Sequence, residues 1–132
     1  MSELEQLVPS LDLCQKLKVA GFPQDMLFAW TPTDGFGNGG PMVYDRDEIL
    51  SWPNDILCAA PTAEEILTAL PRTILKGQIY VLEAQRRGDV LDVWETDWYF
   101  NGMQLAASTT DTISDSLAES AALAYLWWKA QP

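Results

Sequence analysis

Carboxylates are the residues of this sequence whose spacing comes nearest to a chemical site. Asp45, Asp47 and Glu48 stand close together, so their oxygens could coordinate a hard divalent cation. The spacing differs from that of an EF-hand loop and lacks a central glycine, so we interpret these residues as exposed loop charge. Whether this loop binds a cation stays open, and a divalent-ion-dependent enzyme that uses its carboxylates is one alternative function.

Two further patterns are better explained by local structure. Asp111, Asp115 and Glu119 recur every four residues, as a metal-binding ridge on a helix would, but solvated acidity at a helix start explains them more simply. The glycine-rich segment 32–41 ("PTDGFGNGGP") is not followed by a helix with Lys or Ser/Thr, which a phosphate cradle needs. We therefore predict turns in this segment.

Nucleophiles and bases are scarce. The chain contains no His, which removes the commonest general base near neutral pH. Cys14 and Cys58 form no C-x-x-C pair, and we predict that both are buried thiols. We therefore assign no catalytic residue, no metal ligand and no cofactor, and we favour a non-enzymatic protein.

The charge of the chain excludes some partners. Nineteen acidic and eight basic residues give a net charge of −11, which repels phosphate backbones, so we predict no binding to nucleic acid. Arg72, Lys76, Arg86 and Arg87 form the only local excess of positive charge, which we interpret as a solvated face. With no apolar run of about 20 residues and no secretory signal pattern, we expect a cytoplasmic protein that does not enter a membrane.

The segment 60–74 ("APTAEEILTALPRTI") carries the sharpest helix signals. Thr62 and Glu65 fit a capping box, and Pro71 cannot continue the helix. Glu64 and Glu65 are then first-turn charges that the helix dipole favours, because adjacent helical residues do not face each other as an acid–base pair would.

Two more helices are predicted from their ends. One follows Ser10 as N-cap and stops at Gly21. The other runs from about Ser114 to Lys129, with Ser114 or Ser116 as its cap.

Strand signals occur in both halves of the chain. Residues 25–31 ("DMLFAWT") and 56–60 ("ILCAA") are short apolar runs that suit strands. Residues 78–107 are predicted to form a three-stranded antiparallel meander, whose last turn is the pair Asn101 and Gly102.

These elements predict one α+β domain over residues 1–132. It should have a small antiparallel sheet of about three to five strands, with two or three helices packed on it. In the extended segment 93–100 ("VWETDWYF"), Trp94, Trp98 and Phe100 point to one side. We favour a core position for this row under the last helix, and the alternative is that the three residues form an interaction surface.

Three segments taken together carry a family resemblance: "GFPQ" with the following "LFAW", the helix "APTAEEILTALP", and the closing "SLAESAALAYLWW". The combination resembles a widespread group of small uncharacterised proteins of bacteriophages and prophage regions. The resemblance implies an accessory or interaction protein of phage or prophage type, with no catalytic residues to carry over.

The first functional hypothesis is therefore a phage-associated protein that binds another protein without catalysis. A second is an acidic decoy that presents regularly spaced carboxylates to a nucleic-acid-binding host protein. The partner, and the choice between a monomer and a homodimer, stay open.

Overall fold

The structure is a computed structural model that describes residues 3–32, 40–49, 56–87, 93–101, 103–105, 113–114 and 116–131. In chain order the elements are α1 (Glu3–Gln6), α2 (Leu11–Val19), β1 (Phe28–Thr31), β2 (Met42–Asp45), α3 (Arg46–Ile49), β3 (Cys58–Ala59), α4 (Ala63–Ala69), β4 (Thr73–Lys76), β5 (Gln78–Arg87), β6 (Val93–Phe100), β7 (Met103–Gln104), β8 (Ile113–Ser114) and α5 (Leu117–Lys129). Most of the glycine-rich segment, and Asp111 and Asp115, lie outside the described residues, so the predictions made for them stay predictions.

The described strands form two antiparallel sheets, and the α+β class is confirmed. The first sheet has the order β2-β1-β3, and the second has the order β4-β5-β6-β7 with β8 also paired with β6. The two early apolar runs form β1 and β3, where Trp30 lies opposite Cys58. The chain therefore builds a three-stranded sheet in addition to the predicted meander, because these early strands pair with each other.

The predicted meander is β5, β6 and β7. The first two strands pair along most of their length. Phe100 lies opposite Met103, so Asn101 and Gly102 connect β6 to β7. Asn101 has a φ of 48°, a left-handed conformation that Asn tolerates better than most residues. The Asn-Gly signal therefore marked the hairpin correctly, although β7 is only two residues long.

Strands β2, β4 and β8 were not predicted. The strand β4 follows Pro71 and turns back at Gly77, whose φ of 74° is readily adopted only by glycine. Its four residues, "TILK", are too few for periodicity to identify. In β2, Asp45 lies opposite Phe28 within the first sheet, so the interpretation of Asp45 as loop charge was wrong.

Helix α4 has the capping box that its sequence predicts. The Thr62 hydroxyl accepts a hydrogen bond from Glu65 N at 3.3 Å, and the Glu65 carboxylate accepts one from Thr62 N at 2.8 Å. The helix ends at Ala69, two residues before Pro71. Both ends are therefore determined by local backbone chemistry.

The caps of α2 and α5 are also as predicted. Ser10 Oγ accepts a hydrogen bond from Leu13 N at 3.3 Å, and Ser116 Oγ accepts one from Glu119 N at 3.3 Å. Of the two candidate caps for α5, Ser116 is the one used, because Ser114 belongs to β8.

The main hydrophobic core surrounds Trp98. Helix α5 packs against β6, and both α2 and α4 pack against α5. Trp98 is fully buried, with its ring centroid 5.5 Å from that of Trp127. A second cluster lies at the first sheet around Trp30, and α2 contributes Leu17 to the main core and Cys14 to the second.

Replacing Thr62 with Ala should lower the free energy of unfolding by about 1 kcal/mol, because the Glu65 N–H in the first turn of α4 loses its acceptor. Urea denaturation measures this difference. Thr68→Ala is the matched control: the Thr68 hydroxyl is exposed and donates to Glu64 O within the same helix, so its loss should change little. An unchanged midpoint for Thr62→Ala would contradict our account of α4.

Replacing Trp98 with Ala should cost about 3–5 kcal/mol, since it removes a fully buried indole and leaves a cavity. The expected result in thermal and urea denaturation is a strongly destabilised or unfolded chain. A fully stable variant would show that the Trp98 side chain does not stabilise the main core.

Candidate functional site

The β4–β5 hairpin exposes three large apolar side chains on one face. Leu75 is 76% exposed, Ile79 60% and Val81 48%. Leu75 lies opposite Ile79, and Val81 follows two residues along β5, so the three share a face. We call these three residues the hairpin patch. Single exposed apolar residues are ordinary, whereas several adjacent ones are typical of a contact surface.

The opposite face of the same hairpin belongs to the core. Tyr80 is buried, and its ring lies 6.1 Å from that of Phe100 on β6. Ile74 and Leu82 are half-buried against the same cluster. The hairpin patch is therefore presented by strands whose other side is held in place, which favours a defined contact surface.

The basic residues of the hairpin lie along its length. Lys76 is at the turn end beside Gln78, whereas Arg86 lies eight residues further along β5, about 26 Å away at the usual rise of a strand. The Arg86 guanidinium carbon is 5.9 Å from the centroid of the Trp94 ring. Lys76 and Arg86 therefore lie near opposite ends of the hairpin, and the absence of nucleic-acid binding stays a prediction. Arg72 immediately precedes β4, and Lys76 is its last residue.

The hairpin nevertheless differs in charge from the rest of the chain. Residues 72–87 contain four basic residues and one acidic residue, a net charge of +3, so the remaining residues carry −14. Glu83 is that single acid, and its carboxylate accepts a hydrogen bond from the Gln85 amide at 2.9 Å. The region of the hairpin patch is thus the least acidic part of a strongly acidic protein.

A cleft lies between α4 and β5. Its volume is about 840 Å³, which is within the range of small-molecule sites. Its walls include Leu67, Arg72, Leu82, Ala84 and Leu117, with Glu64 and Glu83 among the other lining residues. The lining carries both signs of charge, so its electrostatics do not select one class of ligand.

The three residues of the predicted aromatic row on β6 differ in how far they are buried. Trp98 is fully buried, and its Nε1 donates to Pro71 O at 2.8 Å, so it is a core residue and the interaction alternative fails for it. Trp94 and Phe100 are half-buried. For these two residues, a contribution to an interaction surface stays a prediction.

The other side of β6 carries buried polar groups that the sequence analysis did not identify. Asp97 is fully buried and Glu95 is 5% exposed. The Tyr99 hydroxyl donates to Glu95 Oε1 at 3.2 Å, and the Gln104 amide donates to the Tyr99 oxygen at 3.1 Å. Burial raises the pKa of Tyr99 to about 12. Alternation along "VWETDWYF" places these residues on one face but does not indicate that this face is covered.

Both cysteines are buried free thiols, as predicted. Cys14 Sγ donates to Pro9 O at 3.5 Å. Burial, together with the nearby Cys58, raises the pKa of Cys14 to about 12, and burial also raises the pKa of Cys58. Neither thiol is prepared for nucleophilic chemistry, which needs a lowered pKa.

The acidic residues at the junction of β2 and α3 have local roles. Asp45 Oδ1 accepts a hydrogen bond from Asp47 N at 2.9 Å, which supports the start of α3. Arg46 stands between them and forms an ion pair with Asp25 at 3.2 Å. The Glu48 side chain lies outside the described residues. In the described part of the chain, no three His, Cys, Asp or Glu side chains come together as a metal site would require.

Comparison with known proteins adds no relative. No family model, no curated protein and no solved structure matches this chain. Among the described residues, no helix is both long and apolar enough to cross a membrane.

Tyr99→Phe should reduce the sensitivity of stability to alkaline pH. The unfolded chain releases the Tyr99 proton near pH 10, whereas the folded protein releases it near pH 12. The contribution of Tyr99 to the free energy of unfolding is therefore complete below pH 10 and is lost as the pH rises through 12. Urea denaturation at pH 8, 10 and 11.5 should show a shallower decline for the variant than for the wild type. Parallel declines would contradict this role of Tyr99.

Proposed function

We propose that this protein is a non-enzymatic accessory protein of phage or prophage type that acts in the cytoplasm by binding another protein. The observation that carries the proposal is the hairpin patch, formed by Leu75, Ile79 and Val81 on one strand pair. Contact with a partner would remove these side chains from water. Each Å² of apolar surface that is buried contributes about 25 cal/mol to binding, before the costs of association are subtracted.

The position of the patch supports a protein partner over nucleic acid or a membrane surface. Its three side chains are aliphatic and belong to strands anchored in the core, which suits a complementary apolar surface. The net charge of −11 opposes both phosphate backbones and anionic lipid. The same charge asymmetry between hairpin and remainder would orient an approaching partner.

The test is affinity capture from host-cell lysate, with the captured proteins quantified by mass spectrometry. Leu75→Ser combined with Ile79→Ser should lower capture of the specific partner at least tenfold, a change of about 1.4 kcal/mol in binding. Circular dichroism confirms that the variant stays folded.

Val19→Ser is the matched control. Val19 is 89% exposed on α2, away from the hairpin patch, so this change removes an exposed aliphatic side chain of similar kind. Capture should be unaffected. Equal capture by the patch variant and by the wild type would contradict the proposed function.

A further inference from the structure

On its outer edge, β4 has backbone hydrogen-bonding groups that pair with no other described residue. Arg72 O accepts a hydrogen bond from Leu82 N at 2.8 Å, so Arg72 and Leu82 form a hydrogen-bonded pair of the β4–β5 ladder. In an antiparallel pair alternate residues bond to the same neighbour, so Thr73 and Leu75 direct their N–H and C=O groups away from β5. Within the described residues, these outward groups have no hydrogen-bond partner, and β4 has no second neighbouring strand.

The side chains of β4 alternate in a pattern that defines a complementary strand. Thr73 and Leu75 lie on the face of the hairpin patch, so residues placed opposite them would extend its apolar surface. Arg72 and Lys76 lie on the other face, on either side of the half-buried Ile74. Acidic residues placed opposite these two cations would form cross-strand pairs.

Charge disfavours a second copy of this chain as that strand. If two β4 strands pair in antiparallel fashion around Ile74, Arg72 of each copy lies directly opposite Lys76 of the other. Like charges directly opposite each other destabilise a strand pair, and basic side chains on an edge strand are a common device against self-association. Two chains of −11 each also repel one another at longer range.

We propose that β4 binds an extended segment of the protein partner as an additional antiparallel strand, with the pattern acidic, apolar, any residue, apolar, acidic. This inference rests on the proposed function and specifies the binding mode. The apolar residues pair with Leu75 and Thr73 through backbone hydrogen bonds, and the acidic residues lie opposite Lys76 and Arg72. Strand addition of this kind takes its affinity from the backbone and its specificity from alternate side chains.

The probe is the fluorescent peptide acetyl-Ser-Glu-Val-Thr-Val-Glu-Ser-amide. Fluorescence anisotropy should show saturable binding to the wild-type protein. A peptide with Lys in place of both Glu residues should bind at least tenfold more weakly, because it places cations opposite cations. A peptide with both Val residues N-methylated keeps every side chain but loses the pairing N–H groups, and it should also bind at least tenfold more weakly.

Matched protein variants test the charge pattern. Lys76→Glu should weaken binding of the Glu peptide about tenfold, whereas Lys16→Glu should not, because Lys16 is an exposed residue of α2. Arg72→Glu combined with Lys76→Glu should reverse the preference, so that the Lys peptide binds the better of the two. Circular dichroism confirms folding of each variant.

Amide hydrogen exchange provides a direct readout of the new ladder. Saturation with the Glu peptide should slow exchange of the Thr73 and Leu75 amides at least tenfold. The Ile74 amide already faces β5 and should change much less. Slower exchange at Thr73 and Leu75, without an equal effect at Ile74, supports strand addition.

The opposing outcomes are distinct. Equal binding of the N-methylated peptide, or no binding of the Glu peptide, overturns strand addition. If capture still depends on Leu75 and Ile79 in that case, the proposed function survives and only the binding mode fails. A homodimer in sedimentation that Leu75→Asp dissociates would make a second copy the occupant and would overturn the inference.

Discussion

The hydrogen bond from the Trp98 indole to the Pro71 carbonyl holds the arrangement of the main core together. A buried indole N–H needs an acceptor, and the carbonyl that accepts it lies between α4 and β4. Pro71 therefore has two roles: its ring prevents continuation of the helix, and its oxygen attaches the helix–strand connection to β6. This bond ties Pro71, two residues before β4, to β6, while the β5–β6 ladder holds the other strand of the hairpin.

Small side chains on α5 make this burial possible. Ala121, Ala122 and Ala124 are fully buried, which lets the helix backbone approach the sheet closely. Polar side chains buried between α5 and β6 form hydrogen bonds with each other: Ser120 Oγ donates to Thr96 Oγ1 at 2.9 Å. This face of α5 is therefore buried against β6 in the described part of the chain.

The β4–β5 hairpin is the proposed contact surface, and its two faces differ in burial. The face with Tyr80 is used by the core, and the face with Leu75 and Ile79 is left to solvent. The edge strand β4 ends at Lys76, and Arg72 immediately precedes it, in a chain that is otherwise strongly acidic. Apolar exposure, an open ladder and a local positive charge coincide there, and this coincidence supports both the proposed function and the proposed mode of binding.

The sequence by itself determined the features that depend on neighbours along the chain. The capping box of Thr62 and Glu65, the stop at Pro71 and the turn at Asn101 each involve residues at most four positions apart, so the letters alone predicted them. Tertiary structure alone decided which strands pair and which faces are covered. The four residues of β4 are a strand because β5 pairs with them, and Asp97 is buried although its own residue type favours exposure. The exposure of Leu75 is of the same kind, because burial depends on what packs against a residue, and those atoms come from distant parts of the chain.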